Sequence, residues 1–589
     1  MCGIGGLVRY DAPVDRVVLD AMRARLRHRG PDGEGERIVP HCGLVHTRLA
    51  LLDVAGGAQP RVSPDGRFTL VYNGEVYGLD ALRRELAPSW EFATRGDAEV
   101  VLAAYATWGE RCVERLDGMF AFFVWDARTE TGFAARDRLG VKPFVYAWDG
   151  ERFAFASEAK ALLPAMRSAP RADREALIEV LVAPCFSGVE RPAFAGMEHL
   201  APGSSLRVTR DGVATHRWWR YPLTADATDD DATLAARVGN ALDRAVRRTL
   251  AADVPVGVFL SGGLDSTAIA ALARRAGAAP PAFTVRFDDH ARADGGASRI
   301  VVSDDLPFAR EAARALDLDA TEVPVERDAL DADLDAVAEA NDALPAWEQE
   351  VAQSRLARAA AARVKAVLVG DAADETHFGY HFLHDPVATD APARILERFA
   401  DAPLRPGLLD RPRAHFDAKY RALARALGHR WGTARERTLA TACLVVERWL
   451  PRLLHNGDVH TMAWGLEARV PFADAELLAL AGAVPPEAAM RGGVEKHVLR
   501  EALRGVVPEV VRTRTKSALP KDLGDHARYQ RLCAREIARS GDLLAPLLDL
   551  DVLRVWCDER TPLAERERAL LFRVICLARW ARRWGVRID

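Results

Sequence analysis

The chain has 589 residues, 49% of them hydrophobic and 28% charged, with a formal net charge of −4. That is too long for one hydrophobic core and predicts about two to four domains, while the near-neutral balance gives no electrostatic reason to expect a nucleic-acid partner. No run reaches the ~18 consecutive apolar residues of a membrane span, and the eight cysteines include no CxxC pair, which argues for a reduced cytoplasmic protein and against a zinc knuckle or disulfide framework.

In the N-terminal part, residues 6–10, 43–53, 68–77, 119–129, 131–137 and 152–158 are apolar or alternating runs broken by Gly, Asp and Pro, and predict short strands. Helices are predicted at 17–27 and 97–108. Strands in runs with a few helices predict a layered α+β domain over residues 2–220. The polar, acidic stretch 221–233 (YPLTADATDDDAT) predicts a linker. A second domain is predicted over 234–589, where the apolar runs 254–260, 281–287, 320–325 and 364–370 alternate with Ala-, Leu- and Arg-rich amphipathic segments. That is the pattern of a parallel sheet with helical crossovers. From Pro386 onward the pattern is nearly all helical.

Cys2 follows the initiator Met, which a residue this small normally allows to be removed. Removal leaves a thiol and an α-amine titrating near neutrality (roughly 7.7–8.0) on one residue, so the amine can take the thiol proton as a general base. Glycines at 3, 5 and 6 let backbone approach such a nucleophile. Alone, a second-position cysteine carries little; its downstream surroundings supply what a glutamine site requires. Asn73 and Gly74 (YNGEVYG, 72–78) offer a side-chain amide and a backbone N–H for an oxyanion. Arg48 (HTRLALLD, 46–53) can fork onto an α-carboxylate. Glu75, or Asp97 in RGDAEVV (95–101), can hold an α-ammonium.

With HRGPDGEG (28–35), RLDGMFAFFVWD (115–126), RDRLGVKPFVY (136–146) and FASEAKALL (155–163), these blocks resemble the class II glutamine amidotransferases, N-terminal-nucleophile domains of layered αββα fold. The resemblance implies Cys2 as nucleophile and Asn73 and Gly74 as the oxyanion hole. It also implies that Arg48, Asn73, Gly74, Glu75 and Asp97 bind glutamine.

VPVGVFLSGGLDSTAIAALARRA (254–276) reads as a strand, a glycine turn and a helix. Ser261, Gly262, Gly263, Asp265 and Ser266, with the N–H groups opening the helix, form an anion nest. The lysine of a Walker loop is missing, which argues against a P-loop NTPase. The SGGxDS string resembles instead the pyrophosphate loop of enzymes that cleave ATP between its α and β phosphates and adenylate a substrate. Such a site needs Mg²⁺, which prefers carboxylates and waters. Asp265 is one candidate ligand. Asp374 is the other, in VKAVLVGDAADETHFGY (364–380) after a second strand of the same sheet, with Asp371 and Glu375 beside it.

Both halves in this order resemble the glutamine-hydrolysing asparagine synthetases over nearly the whole chain. WLPRLLHNGDVHTMAWGLEARVPFAD (449–474) and GVEKHVLREALRGVVPEVVRTRTK (493–516) match that family's C-terminal blocks. The resemblance implies an α/β ATP-pyrophosphatase-like synthetase domain with a helical C-terminal part. It puts Lys516 facing the adenylate and pyrophosphate, with Lys496 a second candidate, and lines the nucleotide pocket with Phe259, Val285, Val369 and Gly370. Glutamine, ATP and a carboxylic acid acceptor are the implied substrates, ammonia crossing between domains by an apolar passage, and the implied assembly is a homodimer.

Where the family usually carries SGEGADELFGGY, this chain has VGDAADETHFGY (369–380), so that Asp371 replaces Glu, Ala372 replaces Gly, and Thr376-His377-Phe378 stands for an apolar residue, Phe and Gly. Val459 stands where an Arg is common, and LPAWEQEVAQ (344–353), expected near the acceptor, has no basic residue for an α-carboxylate. Drift on the acceptor side alone is what a changed substrate produces. Three readings follow. The first is an asparagine synthetase; the second is an amidotransferase of specialised metabolism amidating another acid, its pocket near Trp347 and His377. The third, a non-catalytic regulatory relative, is opposed by the intact Cys2, Asn73, Asp265, Asp374 and Lys516.

Overall fold

The computed structural model describes residues 2–287, 304–325, 330–385, 388–390, 402–517 and 526–589. Among these, two antiparallel sheets build the N-terminal half. One runs in the order Glu198–His199, Val145–Trp148, Arg152–Ala156, Cys2–Arg9, Cys42–Arg48, Gly33–Val39. The other runs Gly212–Arg217, Ser204–Thr209, Thr131–Arg136, Gly118–Asp126, Phe68–Val76, Arg61–Val62. Alternate residues face inward along each strand, so Ile4, Val8 and Phe155 of the first sheet meet Val71, Phe123 and Trp125 of the second. Asp97–Trp108 covers the outer face of the second sheet, and Arg16–Ala24 and Arg174–Val182 that of the first. The result is the αββα layering.

Local chemistry sets the boundaries. The helix expected at 17–27 is Arg16–Ala24, capped by Asp15, whose carboxylate accepts from the Val17 N–H at 2.9 Å. The strand expected over 43–53 stops at Arg48. Helix Asp231–Thr249 starts inside the expected linker, with Asp230 accepting from the Thr233 N–H at 2.7 Å.

In the second half five strands run parallel, in the order Ala320–Val325, Ala282–Phe287, Val256–Phe259, Ala366–Leu368, Glu467–Arg469. The order reverses between the third and fourth of these. At such a reversal the loops leaving the carboxyl ends diverge and open a crevice. The fifth strand corrects the expectation of an all-helical region after 386. It is short and charged, yet buried, because Arg469 pairs with Glu467 at 2.5 Å and Glu75 at 3.2 Å. The same guanidinium donates to the carbonyls of Thr249 (2.8 Å) and Ala251 (2.6 Å).

The halves share cores. Phe572 and Trp580 of the C-terminal helix Glu565–Trp584 pack with Leu19 and Leu177, and Met119 and Leu139 join Leu368 and Val470. Arg469→Met leaves Glu75 and Glu467 buried without the guanidinium that bridges them. It is expected to lower the unfolding free energy by about 3–5 kcal/mol, measured as a fall in the urea midpoint at unchanged slope.

Candidate active site

Strand pairing puts Cys2 opposite Arg48. The Cys2 backbone N–H donates to Asn73 Oδ1 at 2.9 Å. That bond fixes the amide and leaves Asn73 Nδ2 buried with no partner. An unsatisfied buried donor costs about 1–3 kcal/mol; next to a thiol it is a donor waiting for an oxygen. Gly74 has no room for a side chain, since a Cβ there would lie 2.3 Å from the Met119 carbonyl oxygen. The carbonyls of Asp53 and Val54, both at 2.8 Å, orient the Arg48 fork without neutralising it. Asp97 accepts from the Tyr72 hydroxyl at 2.6 Å and the Val76 N–H at 3.2 Å, though burial still pushes its carboxyl up. Burial pushes the Cys2 thiol up as well, so a thiol attacking from this position would need a base. Glu75 also faces the second half, 3.2 Å from the Arg469 guanidinium. Burial raises it to about 8 against the pull of Arg469, and it serves the ion pair between the halves.

Arg29 is a residue that sequence reasoning missed. Its Nε donates to the Cys2 carbonyl at 3.2 Å, while Nη1 and Nη2 pair with Glu158 (2.7 Å) and Asp458 (2.8 Å). Asp458 belongs to helix Leu450–Met462, and its neighbours Gly457, His460 and Thr461 line the second site. One buried guanidinium therefore touches the Cys2 backbone and the helix under the other site. The signal was present in the block HRGPDGEG.

The second site is a cavity of about 280 Å³ at the sheet's reversal point. Of the residues expected there, Phe259, Val285 and Val369 give it apolar wall, and Ser261, Gly263, Asp265 and Ser266 one rim. Gly370, Asp371 and Asp374 form the facing rim, with Lys496 and Lys516 between. Gly262 is the exception and does not line it; it shapes the turn from behind, at φ +70°, where a Cβ would lie 2.3 Å from the Ala309 nitrogen. The turn is held open by its own bonds. Ser261 N–H donates to Ser266 Oγ (3.1 Å), the two hydroxyls are 3.0 Å apart, and Gly263 N–H donates to Ser261 Oγ (3.3 Å).

Lys496 Nζ lies 2.6 and 2.8 Å from the Asp265 oxygens and 2.7 Å from Asp374 Oδ1; Lys516 Nζ lies 2.6 Å from Asp374 Oδ2. Lys496, only 3% exposed, is the cation that Asp265 and Asp374 share. Despite burial, the two ammoniums hold Asp374 well below the carboxylate range. Burial pushes Asp371 up to about 6, with Asp374 adding to the rise. Asp265 and Asp374 converge on one positive charge, which fits a Mg²⁺ held by two carboxylates, phosphate oxygens and water. Among the described residues no group of three or more His, Cys, Asp or Glu side chains makes a closed cage, so phosphate would complete the coordination.

Two substitutions in the acidic loop carry strain. Ala372 (φ +73°) and Phe378 (φ +55°) stand where the resemblance has glycine and take the left-handed conformation, at about 1–2 kcal/mol each. His377 and Trp347 do not line the cavity, against expectation. His377 meets Phe472 edge-on at 5.6 Å, and Trp347 packs on the helical core. Gln353, Gly457, His460 and Thr461 are in the wall instead.

An N-terminal-nucleophile domain joined to an ATP-pyrophosphatase-like domain is the class that this fold and these sites define. The family described as glutamine amidotransferase domain matches residues 1–219, and that described as asparagine synthase matches residues 237–582. Asparagine synthetase [glutamine-hydrolyzing] 3 of Bacillus subtilis is 32% identical, over 90% of this chain and 88% of that protein. Asparagine synthetase [glutamine-hydrolyzing] 3 of Arabidopsis thaliana is 31% identical over 85% and 75%, and asparagine synthetase B [glutamine-hydrolyzing] of Escherichia coli 29% over 89% and 83%. The chain belongs to the asparagine synthase family.

Proposed function

We propose that this protein is a glutamine-dependent, ATP-driven carbon–nitrogen ligase that converts aspartate to asparagine through an acyl-adenylate. The observation that carries the reading is Arg29, whose guanidinium joins the Cys2 backbone to the helix lining the nucleotide cavity. Arg48 binds the glutamine α-carboxylate, and Asp97 with Glu75 its α-ammonium. Once Met1, which lies outside the described residues, is removed, the Cys2 amine takes the thiol proton and Sγ attacks the amide carbon. Asn73 Nδ2 and the Gly74 N–H hold the oxyanion. Ammonia leaves, and water then hydrolyses the thioester.

In the second site the loop Ser261–Ser266 holds the ATP phosphates, and the acceptor carboxylate displaces pyrophosphate from the α-phosphorus. Lys496 and Lys516 offset the charge of the leaving pyrophosphate. Asp265 and Asp374 would hold Mg²⁺, which would supply further charge neutralisation there. Ammonia then attacks the acyl carbon, AMP departs, and Asp371 is placed to take the surplus proton. The eight cysteines, all free, suit a reducing cytoplasm, and a homodimer is what the family resemblance implies.

The test is AMP formation from ATP, glutamine and Mg²⁺, with aspartate set against a panel of other carboxylic acids. Aspartate-dependent AMP with matching asparagine is expected. A second reading, amidation of a different acid, is favoured by the absence of a basic residue over 344–353. It is adopted if glutamine is hydrolysed and another acid, not aspartate, drives AMP.

A further inference from the structure

His460 lies on helix Leu450–Met462, fully buried, in the wall of the nucleotide cavity. Its Nε2 is 2.9 Å from Glu350 Oε2. Glu350 also accepts from Asn341 Nδ2 (2.6 Å), Ala346 N–H (2.7 Å) and Trp347 N–H (3.3 Å). Although burial opposes it, these bonds and His460 hold the Glu350 carboxyl below its ordinary range. An ionised carboxylate only accepts, so Nε2 must carry the proton between them. With that proton on Nε2, Nδ1 is the ring's remaining lone-pair site, and it is buried with no partner. One helical turn before His460, a Cβ on Gly457 would lie 3.3 Å from Asp371 Oδ2. The unsatisfied nitrogen thus belongs to the turn that borders the reacting end of the cavity.

We propose that His460 is a specificity-determining residue for the acceptor: its Nδ1 accepts a hydrogen bond from an N–H or O–H carried by the carboxylic acid, the α-ammonium of an amino dicarboxylic acid being the fitting group. The inference rests on the reading that this cavity adenylates a carboxylic acid. It gives a reason for the missing basic residue over 344–353. The segment contributes Glu350, which fixes the histidine tautomer, instead of a cation that meets substrate directly. A buried polar group that loses its partner discriminates strongly against an analogue lacking the matching hydrogen.

The experiment compares kcat/KM for AMP formation with L-aspartate and with succinate, which lacks the amino group, in the full-length enzyme and in His460→Gln. Glutamine places its amide nitrogen near the Nε2 position and keeps the Glu350 partner, but has nothing at Nδ1. The aspartate-to-succinate ratio is expected to fall at least about tenfold, the KM for ATP moving less than about twofold. His460→Asn, which restores an atom near Nδ1, should recover part of the ratio. An unchanged ratio in His460→Gln, or equal losses with both acids, overturns the proposal, as does a wild-type enzyme that uses succinate as well as aspartate. If aspartate is inert while another acid drives AMP, the aspartate reading fails alone, and the ratio is taken for that acid against its analogue without the amino or hydroxyl group. If no acid drives AMP, the adenylation reading fails and takes this proposal with it.

Discussion

Cys2→Ala is expected to lose glutamine-dependent synthesis by about 10⁴-fold or more while keeping synthesis from ammonium salts near the wild-type rate. The nucleophile is the one group in the N-terminal site with no substitute. In the proposed scheme Asn73, Gly74 and Arg48 bind and polarise glutamine but form no covalent bond to it. The fold should tolerate the change. Alanine keeps the N–H that bonds Asn73 Oδ1 and the carbonyl that accepts from Arg29, and one lost buried sulfur costs on the order of 1 kcal/mol. The measurement is AMP formation with aspartate, once with glutamine and once with ammonium chloride at a pH where free ammonia is abundant. Equal loss with both nitrogen sources would refute the two-site scheme, because it would mean that Cys2 supports the second half structurally.

Much of this was legible in the chain because strong local constraints leave strong local patterns. The turn from Ser261 to Ser266 needs its glycines and small hydroxyls, so the string announces the nest. The apolar runs 254–260 and 364–370 became Val256–Phe259 and Ala366–Leu368 because central parallel strands read as nearly continuous apolar segments. Glu467–Arg469 was not legible, being three residues whose burial depends on Glu75, far away in sequence. Strand Gly33–Val39 was missed for a related reason: its side chains are mostly half-exposed and polar, so no alternation marks it. Arg29 and His460 were missed because their roles come from partners in other segments. Trp347 and His377 drew notice as unusual residues, yet packing turned both away from the cavity. Ala372 and Phe378 show the converse. The sequence marked them as departures, and only the backbone revealed left-handed positions where glycine would relieve strain.

Asp374→Asn is expected to cut AMP formation by about 10²–10³-fold with glutamine hydrolysis at Cys2 retained. The carboxamide matches the carboxylate in size, so the change is one of charge. Lys496 still has Asp265, but Lys516 loses the anion at 2.6 Å that orients it, and the cavity gains net positive charge with Asp265 the one carboxylate left of the two proposed for Mg²⁺. Lys516 is a third exposed and can turn toward water, so the loss of stability should be small beside that of Arg469→Met, whose buried carboxylates have no such escape. The pH profile separates electrostatics from misfolding. Asp371 sits at about 6 because of burial and the neighbouring Asp374 charge. It is protonated below that value, and as a proton acceptor it loses activity as pH falls through about 6. Removing the Asp374 charge relieves one cause of the raised value, so the residual AMP-forming activity of Asp374→Asn should persist to lower pH than in the wild type. Unimpaired AMP formation in this variant would remove Asp374 from the metal and phosphate machinery. A reduced rate with an unmoved acid limb would instead detach Asp371 from the step that limits it.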